Sequence, residues 1–128
     1  MKIIILDDSA TIRKFIEICL EKLSVKEGEI FSFENGEEAL EYIKANGADM
    51  IFSDINMPNM SGYEFAYRVF DVSPAFKKSL FIISSDEDGK DFKKMKGMGI
   101  YNFIKKPIDI EKFEQIVSPL ILKCRARE

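Results

Sequence analysis

Short apolar runs alternate along the chain with longer stretches in which apolar residues recur every three or four positions. The runs have the length and composition of buried strands, whereas the longer stretches have the period of amphipathic helices. The predicted strands cover residues 2–6, 30–33, 50–52, 80–83 and 100–104. Because strands and helices alternate five times, the pattern indicates a doubly wound α/β domain, with a five-stranded parallel sheet and helices on both faces.

The first predicted helix has the clearest boundaries and the clearest apolar face. Ser9 is a residue type that accepts hydrogen bonds from the free N–H groups of a first helical turn. The apolar face consists of Ile12, Phe15, Ile16, Cys19, Leu20 and Leu23. Asn35-Gly36 and Gly62 lead into the second and third helices, and Asp109 caps the last one.

The fourth helix is short and is predicted to be mobile. Phe92, Met95 and Met98 form its apolar side. Gly97 and Gly99 lower the helix propensity of this segment, which favours local opening. The polar residues 86–91 that precede it are typical of a turn.

The last helix contains a proline within its apolar periodicity. Its apolar positions are Ile110, Phe113, Ile116, Val117, Leu120 and Ile121. Pro119 removes a backbone N–H and costs a helix interior ~3 kcal/mol. We expect a kink near residues 115–118; the alternative is a break, with Ser118 capping a second short segment.

Composition and charge describe an ordinary globular domain. The chain has 128 residues, of which 46% are hydrophobic and 32% charged, as expected for one domain over residues 1–128. A net charge of −3 argues against a general nucleic-acid binder, which would be basic. No apolar run has the length of a membrane span, and Asp7-Asp8 follow the amino terminus too closely for a signal peptide. We therefore expect a cytoplasmic domain without membrane insertion.

The cysteine and histidine content limits the kinds of metal site and catalytic site that the chain can contain. Cys19, on a helix face, and Cys124, in the carboxyl-terminal tail, lack metal-type spacing, so we interpret both as free thiols in a reducing compartment. The chain contains no histidine. A Ser-His-Asp site, a Cys-His site and a histidine-ligated metal are therefore excluded.

Charged side chains follow three of the predicted strands at their carboxyl ends. Asp7 and Asp8 follow the first strand, Asp54 follows the third, and Lys106 follows the fifth. The carboxyl ends of parallel strands meet at one edge of a sheet, so these groups converge on one crevice. Three adjacent carboxylates repel one another unless a cation lies among them, and hard oxygen ligands suit Mg²⁺.

Each of these motifs also has a purely structural explanation. Asp54 precedes Met57-Pro58-Asn59, so it is also a candidate cap of an ordinary turn. Asp7 and Asp8 precede a helix, where negative charge is favourable by ~0.3–1 kcal/mol. Two adjacent acids exceed what a helix cap requires, which favours the metal-site interpretation.

Taken together, the motifs resemble a response-regulator receiver domain, most closely the single-domain chemotaxis type. The resemblance extends from about residue 2 to about residue 122. The matching residues are Asp7-Asp8, Asp54, Asn56-Met57-Pro58 with Gly62, Ser84, and Lys106-Pro107. It implies a flavodoxin-like sheet with strand order 2-1-3-4-5, which spacing alone does not give.

The resemblance also implies how the site is used. Asp54 would accept a phosphoryl group from a partner histidine kinase or phosphotransfer protein, which must supply the phosphohistidine. Asp8, Asp54 and the backbone carbonyl of Asn56 would bind Mg²⁺ directly, and Asp7 would act through water. Hydrolysis of the aspartyl phosphate would reset the switch.

The remaining implied residues act on the phosphoryl group or transmit its presence. Lys106 would contact the phosphoryl oxygens, whereas strand alternation points the neighbouring Lys105 the opposite way. Ser84 would donate its hydroxyl to the phosphoryl group. Phe103 is either a rotamer switch or a plain core residue, and it lacks the hydroxyl of the tyrosine frequent there in the family. Ser85 and Ser61 also depart from the commonest family pattern.

We expect no output domain, so output would be protein binding, through the surface of the fourth helix, fifth strand and fifth helix. Four lysines lie there, as a docking patch or as a solvated helix face: Lys90, Lys93, Lys94 and Lys96. One alternative is a non-cycling, receiver-like adaptor module. Another is a haloacid-dehalogenase-like phosphatase, but that family has an acid at the position of Asn56.

Overall fold

The computed structural model describes residues 1–85 and 89–128, which form an α/β domain. The strands are β1 (Ile3–Leu6), β2 (Ile30–Phe33), β3 (Met50–Asp54), β4 (Leu80–Ser84) and β5 (Asn102–Lys105). The helices are α1 (Ala10–Lys22), α2 (Gly36–Asn46), α3 (Gly62–Val72), α4 (Lys90–Gly97) and α5 (Ile110–Ala126). Two short 3₁₀ helices cover Glu27–Glu29 and Pro74–Lys78. Within the described ranges, no helix combines the length and the apolar character needed to cross a membrane.

The sheet is parallel, with strand order β2-β1-β3-β4-β5, which confirms the predicted fold class. One apolar cluster packs α1 and α5 against one face, and a second packs α2, α3 and α4 against the other. Both faces are therefore covered, and β3 and β4 are buried along their whole length. Burial on both faces explains why these strands are unbroken apolar runs rather than alternating ones.

The predicted helix caps are present in the structure. Ser9 Oγ accepts a hydrogen bond from the Ile12 N–H at 3.3 Å, and Asp109 Oδ1 accepts one from the Glu111 N–H at 2.8 Å. These bonds satisfy N–H groups that have no partner within the helix. The caps set where α1 and α5 begin, and therefore how far each loop at the carboxyl edge of the sheet extends.

The fifth strand begins later than predicted. It starts at Asn102 rather than Ile100, because the Ile100 N–H donates to the Met95 carbonyl at 3.0 Å and so still belongs to the turn that ends α4. Gly99 has a φ of 86° in that turn, a conformation that glycine adopts readily. The predicted turn over residues 86–91 lies partly outside the described residues, and Asp91 belongs to α4.

Helix α5 is one continuous helix, so the alternative of a break at Ser118 is wrong, and the kink expected near residues 115–118 stays a prediction. Pro119 is exposed, and the helix continues past it to Ala126. Ile116 does not lie on the buried face predicted for it, since it is 39% exposed. Cys124 does not lie in a loose tail: it is buried on α5 within the first apolar cluster.

Candidate functional site

Three carboxylates meet where β1 and β3 end. Single carboxylate oxygens of Asp7, Asp8 and Asp54 lie within 4.8 Å of one another, which confirms the predicted convergence. Asp7 and Asp54 are buried and Asp8 is exposed. The cluster therefore opens to solvent on the side of Asp8, as a site for an ion or a small anion requires.

Asp7 has one oxygen engaged and one without a hydrogen bond. Its Oδ1 accepts from the Ser9 N–H at 2.8 Å, whereas Oδ2 is buried and accepts no hydrogen bond from the described residues. Oδ2 lies 3.5 Å from Lys106 Nζ. Burial raises the pKa of Asp7 above its ordinary value, the Asp54 charge adds to this, and the Ser9 N–H and Lys106 oppose it. An acceptor without a donor beside two further carboxylates fits a bound cation.

Asp54 is held from two sides. Its Oδ1 accepts from the Ile55 N–H at 2.9 Å and lies 3.4 Å from Lys106 Nζ. Lys106 is placed by its own backbone N–H, which donates to the Ser84 carbonyl at 2.8 Å beyond the end of the β4–β5 ladder. Lys105, the last residue of β5, is exposed, and it is Lys106 that contacts the site. One ammonium group thus contacts two of the three carboxylates.

The loop after β3 is closed by a glycine. The Gly62 N–H donates to the Ile55 carbonyl at 2.7 Å, which brings the start of α3 against the end of β3. A Cβ at Gly62 would lie 2.5 Å from the Asp54 carbonyl oxygen and 2.6 Å from Ile55 Cα. Both are backbone atoms, so only glycine allows this approach without moving Asp54. Asn56, whose carbonyl was the fourth predicted metal ligand, is exposed in the same loop.

The Ser84 hydroxyl has a partner that the sequence did not predict. It donates to Asp91 Oδ2 at 3.0 Å, and the other oxygen of Asp91 accepts from the Tyr63 hydroxyl. The structure thus joins the end of β4 to the first turns of α3 and α4. The sequence pattern predicts a polar turn at Asp91, and no periodicity in the sequence pairs this residue with Ser84 or with Tyr63.

Phe103 connects β5 to α4. Its ring is half-buried and meets the Phe92 ring edge-on, with 5.4 Å between the centroids. Phe92 is 39% exposed, so its predicted place on the buried side of α4 is wrong. Phe103 lies at the periphery of the second apolar cluster. It has the contacts of a partly covered core residue, and its role as a switch stays a prediction.

Sequence comparison supports what this geometry indicates. The chain matches the response regulator receiver domain family over residues 3–118. It belongs to this receiver family. Receiver domains act in two-component systems and are phosphorylated on an aspartate with Mg²⁺, which they bind in an acidic pocket.

Similar receivers include proteins of comparable length. Chemotaxis protein CheY1 of Helicobacter pylori is 33% identical over 109 residues, which are 84% of this chain and 86% of that one. Protein PilG of Pseudomonas aeruginosa is 34% identical over 113 residues, 87% of this chain and 80% of PilG. The receiver resemblance and its chemotaxis type are therefore confirmed.

Solved receiver structures share the fold at lower identity. A response regulator receiver domain protein of Clostridium thermocellum superposes with a TM-score of 0.81 at 20% identity, over 99% of this chain and 98% of that one. The receiver domain of the sensor histidine kinase PA1611 of Pseudomonas aeruginosa gives a TM-score of 0.79 at 17% identity, over 94% and 96% of the chains. That structure has a magnesium ion coordinated in its active site cleft.

Proposed function

We propose that this receiver is a signalling switch phosphorylated on Asp54. The observation that carries the proposal is the position of this carboxylate, at the end of the central strand, beside two further carboxylates and 3.4 Å from Lys106 Nζ. Asp54 Oδ1 is engaged by the Ile55 N–H and Lys106. Among the described residues nothing donates to Oδ2, and we assign it as the attacking oxygen.

The proposed reaction is transfer from a phosphohistidine to a carboxylate. Asp54 attacks phosphorus, the phosphorus–nitrogen bond breaks, and the imidazole of the donor leaves with the bonding electron pair. The chain has no histidine, so a histidine kinase or phosphotransfer protein must supply the donor. Because phosphoryl transfer depends mainly on positioning and charge neutralisation, Lys106 serves by holding positive charge beside the other oxygen of the same carboxylate, Asp54 Oδ1.

The acidic residues and one backbone group would hold Mg²⁺. Asp8, Asp54 and the carbonyl of Asn56 are the proposed direct ligands, and Asp7 is the proposed water-mediated one. The bond from the Ser9 N–H to Asp7 supports this division, since it occupies one Asp7 oxygen, while Asp8 is exposed. When bound, Mg²⁺ neutralises charge that develops on the transferring phosphoryl group.

Output would pass through Ser84 to the surface of α4, β5 and α5. Ser84 ends β4, its hydroxyl contacts α4, and Phe103 of β5 contacts Phe92 of α4. A phosphoryl group that draws the Ser84 hydroxyl toward Asp54 therefore changes a contact that holds α4. We propose that this surface binds a downstream protein in the cytoplasm, and that the domain has no nucleic-acid target.

The lysines of α4 would take part in that binding surface. All four, Lys90, Lys93, Lys94 and Lys96, are exposed. Lys94 Nζ lies 3.8 Å from the centroid of the Tyr63 ring, and Lys96 Nζ lies 5.1 Å from that of Phe92. These contacts position two of the four ammonium groups against aromatic rings. The lysines of a fully solvated helix face would not need such contacts, so they support a docking patch.

Asp54→Asn is expected to abolish phosphorylation and leave the fold intact, because an amide of equal size is not a nucleophile. The measurement is intact mass after incubation with acetyl phosphate and Mg²⁺. The wild type should gain one phosphoryl group. Asp71→Asn, which changes an exposed aspartate on α3, is the matched control and should label like the wild type.

The same incubation separates the proposal from its alternatives. A non-cycling adaptor would take up no phosphoryl group. A phosphatase would release phosphate repeatedly from phosphate esters without stable labelling. Labelling of Asp54→Asn to the wild-type extent would overturn the assignment of Asp54.

A further inference from the structure

One carboxylate joins three elements around the site. Asp91, in the first turn of α4, accepts from the hydroxyl of Ser84 at the end of β4, with 3.0 Å between the oxygens. It also accepts from the hydroxyl of Tyr63, in the first turn of α3. Ser84 is 2% exposed and Asp91 is half-buried, so the Ser84 end of this bond is shielded from water.

The chemistry of the hydroxyl makes this contact a competitor of the phosphoryl group. A serine hydroxyl has one proton to donate. If Ser84 donates to Asp91, the same proton is not available to a phosphoryl oxygen on Asp54. Hydrogen bonds to a carboxylate are charge-assisted and are among the stronger ones in proteins. Phosphorylation must therefore break a favourable bond before Ser84 changes partner.

We propose that Asp91 is a positioning residue that opposes activation. In the unphosphorylated state the Asp91 carboxylate accepts the hydrogen bond of the Ser84 hydroxyl. When phosphorylation breaks this bond, the first turn of α4 is released. Tyr63 acts through Asp91, since its hydroxyl holds the carboxylate in place. This inference rests on the proposed function, because it requires the phosphoryl group to be on Asp54.

Removing the Asp91 carboxylate is expected to strengthen binding of a phosphoryl mimic. The probe is beryllofluoride with Mg²⁺, titrated and followed by ¹⁹F NMR. Asp91→Ala should bind it about ten- to a hundredfold more tightly than the wild type, which corresponds to the loss of one competing hydrogen bond to a charged group. Mg²⁺ affinity without beryllofluoride should be unchanged, a result that a general distortion of the site would not give.

A double-mutant cycle tests the assigned role of Tyr63. Tyr63→Phe removes only the hydroxyl and keeps the ring that Lys94 contacts. Alone it should tighten beryllofluoride binding by less than Asp91→Ala does. In the Asp91→Ala background it should have no further effect, because residues that act through one group are not additive. Asp91→Asn keeps the side-chain volume, should fall between wild type and Asp91→Ala, and guards against a folding defect in the latter.

Glu64→Ala is the matched control for charge. Glu64 follows Tyr63 on α3, is exposed, and contacts Arg68 rather than Ser84. Its loss should leave beryllofluoride affinity unchanged. Two results would overturn this inference and leave the proposed function standing. One is wild-type beryllofluoride affinity in both Asp91 variants; the other is that Glu64→Ala tightens beryllofluoride binding as much as Asp91→Ala does. Failure of the wild type to bind beryllofluoride would overturn both the inference and the proposed function.

Discussion

At the scale of single residues, the three acids of the site differ in burial and in their contacts with other residues of the protein. Asp7 accepts from the Ser9 N–H, its other oxygen is 3.5 Å from Lys106 Nζ, and burial raises its pKa. Asp8 is exposed, and it adds negative charge beside Asp7. A cation from solvent therefore meets Asp8 with the least competition from the protein.

This difference predicts unequal losses of Mg²⁺ affinity. Asp8→Ala should weaken Mg²⁺ binding by about 100-fold, because it removes a proposed direct ligand, and Asp7→Ala by about tenfold, as for an outer-shell partner. Isothermal titration calorimetry measures both constants. The control is Asp71→Ala, which changes an exposed aspartate and should leave the Mg²⁺ affinity unchanged. Asp109 is also exposed but is unsuitable as a control, because it caps α5. Equal losses for Asp7→Ala and Asp8→Ala would contradict the division of roles.

At the scale of elements, the site depends on how closely α3 approaches β3. The loop between them carries Asn56 and is closed by the bond from the Gly62 N–H to the Ile55 carbonyl, 2.7 Å long. Next to it, Ser61 Oγ accepts from the Glu64 N–H at 3.2 Å and begins the helix. The position of the Asp54 carboxylate is thus tied to the packing of a helix start against a strand end.

Gly62→Ala is expected to destabilise the fold by about 1 to 3 kcal/mol, because the added methyl group overlaps the Asp54 and Ile55 backbones. It should also slow labelling by acetyl phosphate, since relief of the overlap moves Asp54. Urea unfolding and intact-mass time courses measure the two effects. Gly28→Ala is the control: no atom of the described residues lies within 4 Å of a Cβ there, so stability should change by less than about 1 kcal/mol. An unaltered labelling rate in Gly62→Ala would show that α3 does not position Asp54.

At the scale of the whole molecule, an ion-pair cluster joins distant parts of the chain at the sheet edge opposite the site. Arg125, near the end of α5, donates two hydrogen bonds to the Glu29 carboxylate before β2 and one to the Ser24 carbonyl at 3.1 Å. The Met1 amine lies 3.2 Å from Glu29 and 3.0 Å from Glu128. Because Glu29 precedes a strand and Asp54 ends one, this cluster bears on stability rather than on phosphorylation.

The cluster predicts a pH-dependent contribution to stability. Hydrogen bonds from Arg125 lower the pKa of Glu29 from 4.5 to about 2. The stability gained is therefore fully present above pH 4.5 and is lost as pH falls through about 2. Glu29→Gln should lower the free energy of unfolding by about 1 to 2 kcal/mol at pH 7, since the pair is bidentate but partly exposed.

Thermal melts followed by circular dichroism measure this contribution. The variant should melt about 4 to 8 °C below the wild type at pH 7. The difference should shrink below pH 4.5 and approach zero near pH 2. Exposed Glu41→Gln is the control and should match the wild type throughout. A difference between Glu29→Gln and wild type that persists unchanged at pH 2 would contradict the role given to the Glu29 charge.

The sequence by itself determined the elements and the edge at which the chemistry lies. Apolar period distinguishes buried strands from amphipathic helices, and parallel strands bring their carboxyl ends together. The sequence pattern therefore places Asp7, Asp8, Asp54 and Lys106 in one crevice. Strand alternation likewise distinguished Lys106 from Lys105. These inferences succeed because each depends on local pattern plus one general rule of sheet topology.

Only the tertiary structure decided which side chains meet across elements. Three features depend on the distance and rotation at which helices and strands pack. They are the contacts of Asp91 with Ser84 and Tyr63, the contact of Glu29 with Arg125, and the burial of Cys124. The continuity of α5 past Pro119 was decided in the same way, because burial of Phe113, Val117 and Ile121 offsets the lost backbone bond. Local periodicity carries no information on such pairings: the partners are far apart in the chain, and each bond depends on the packing of whole elements.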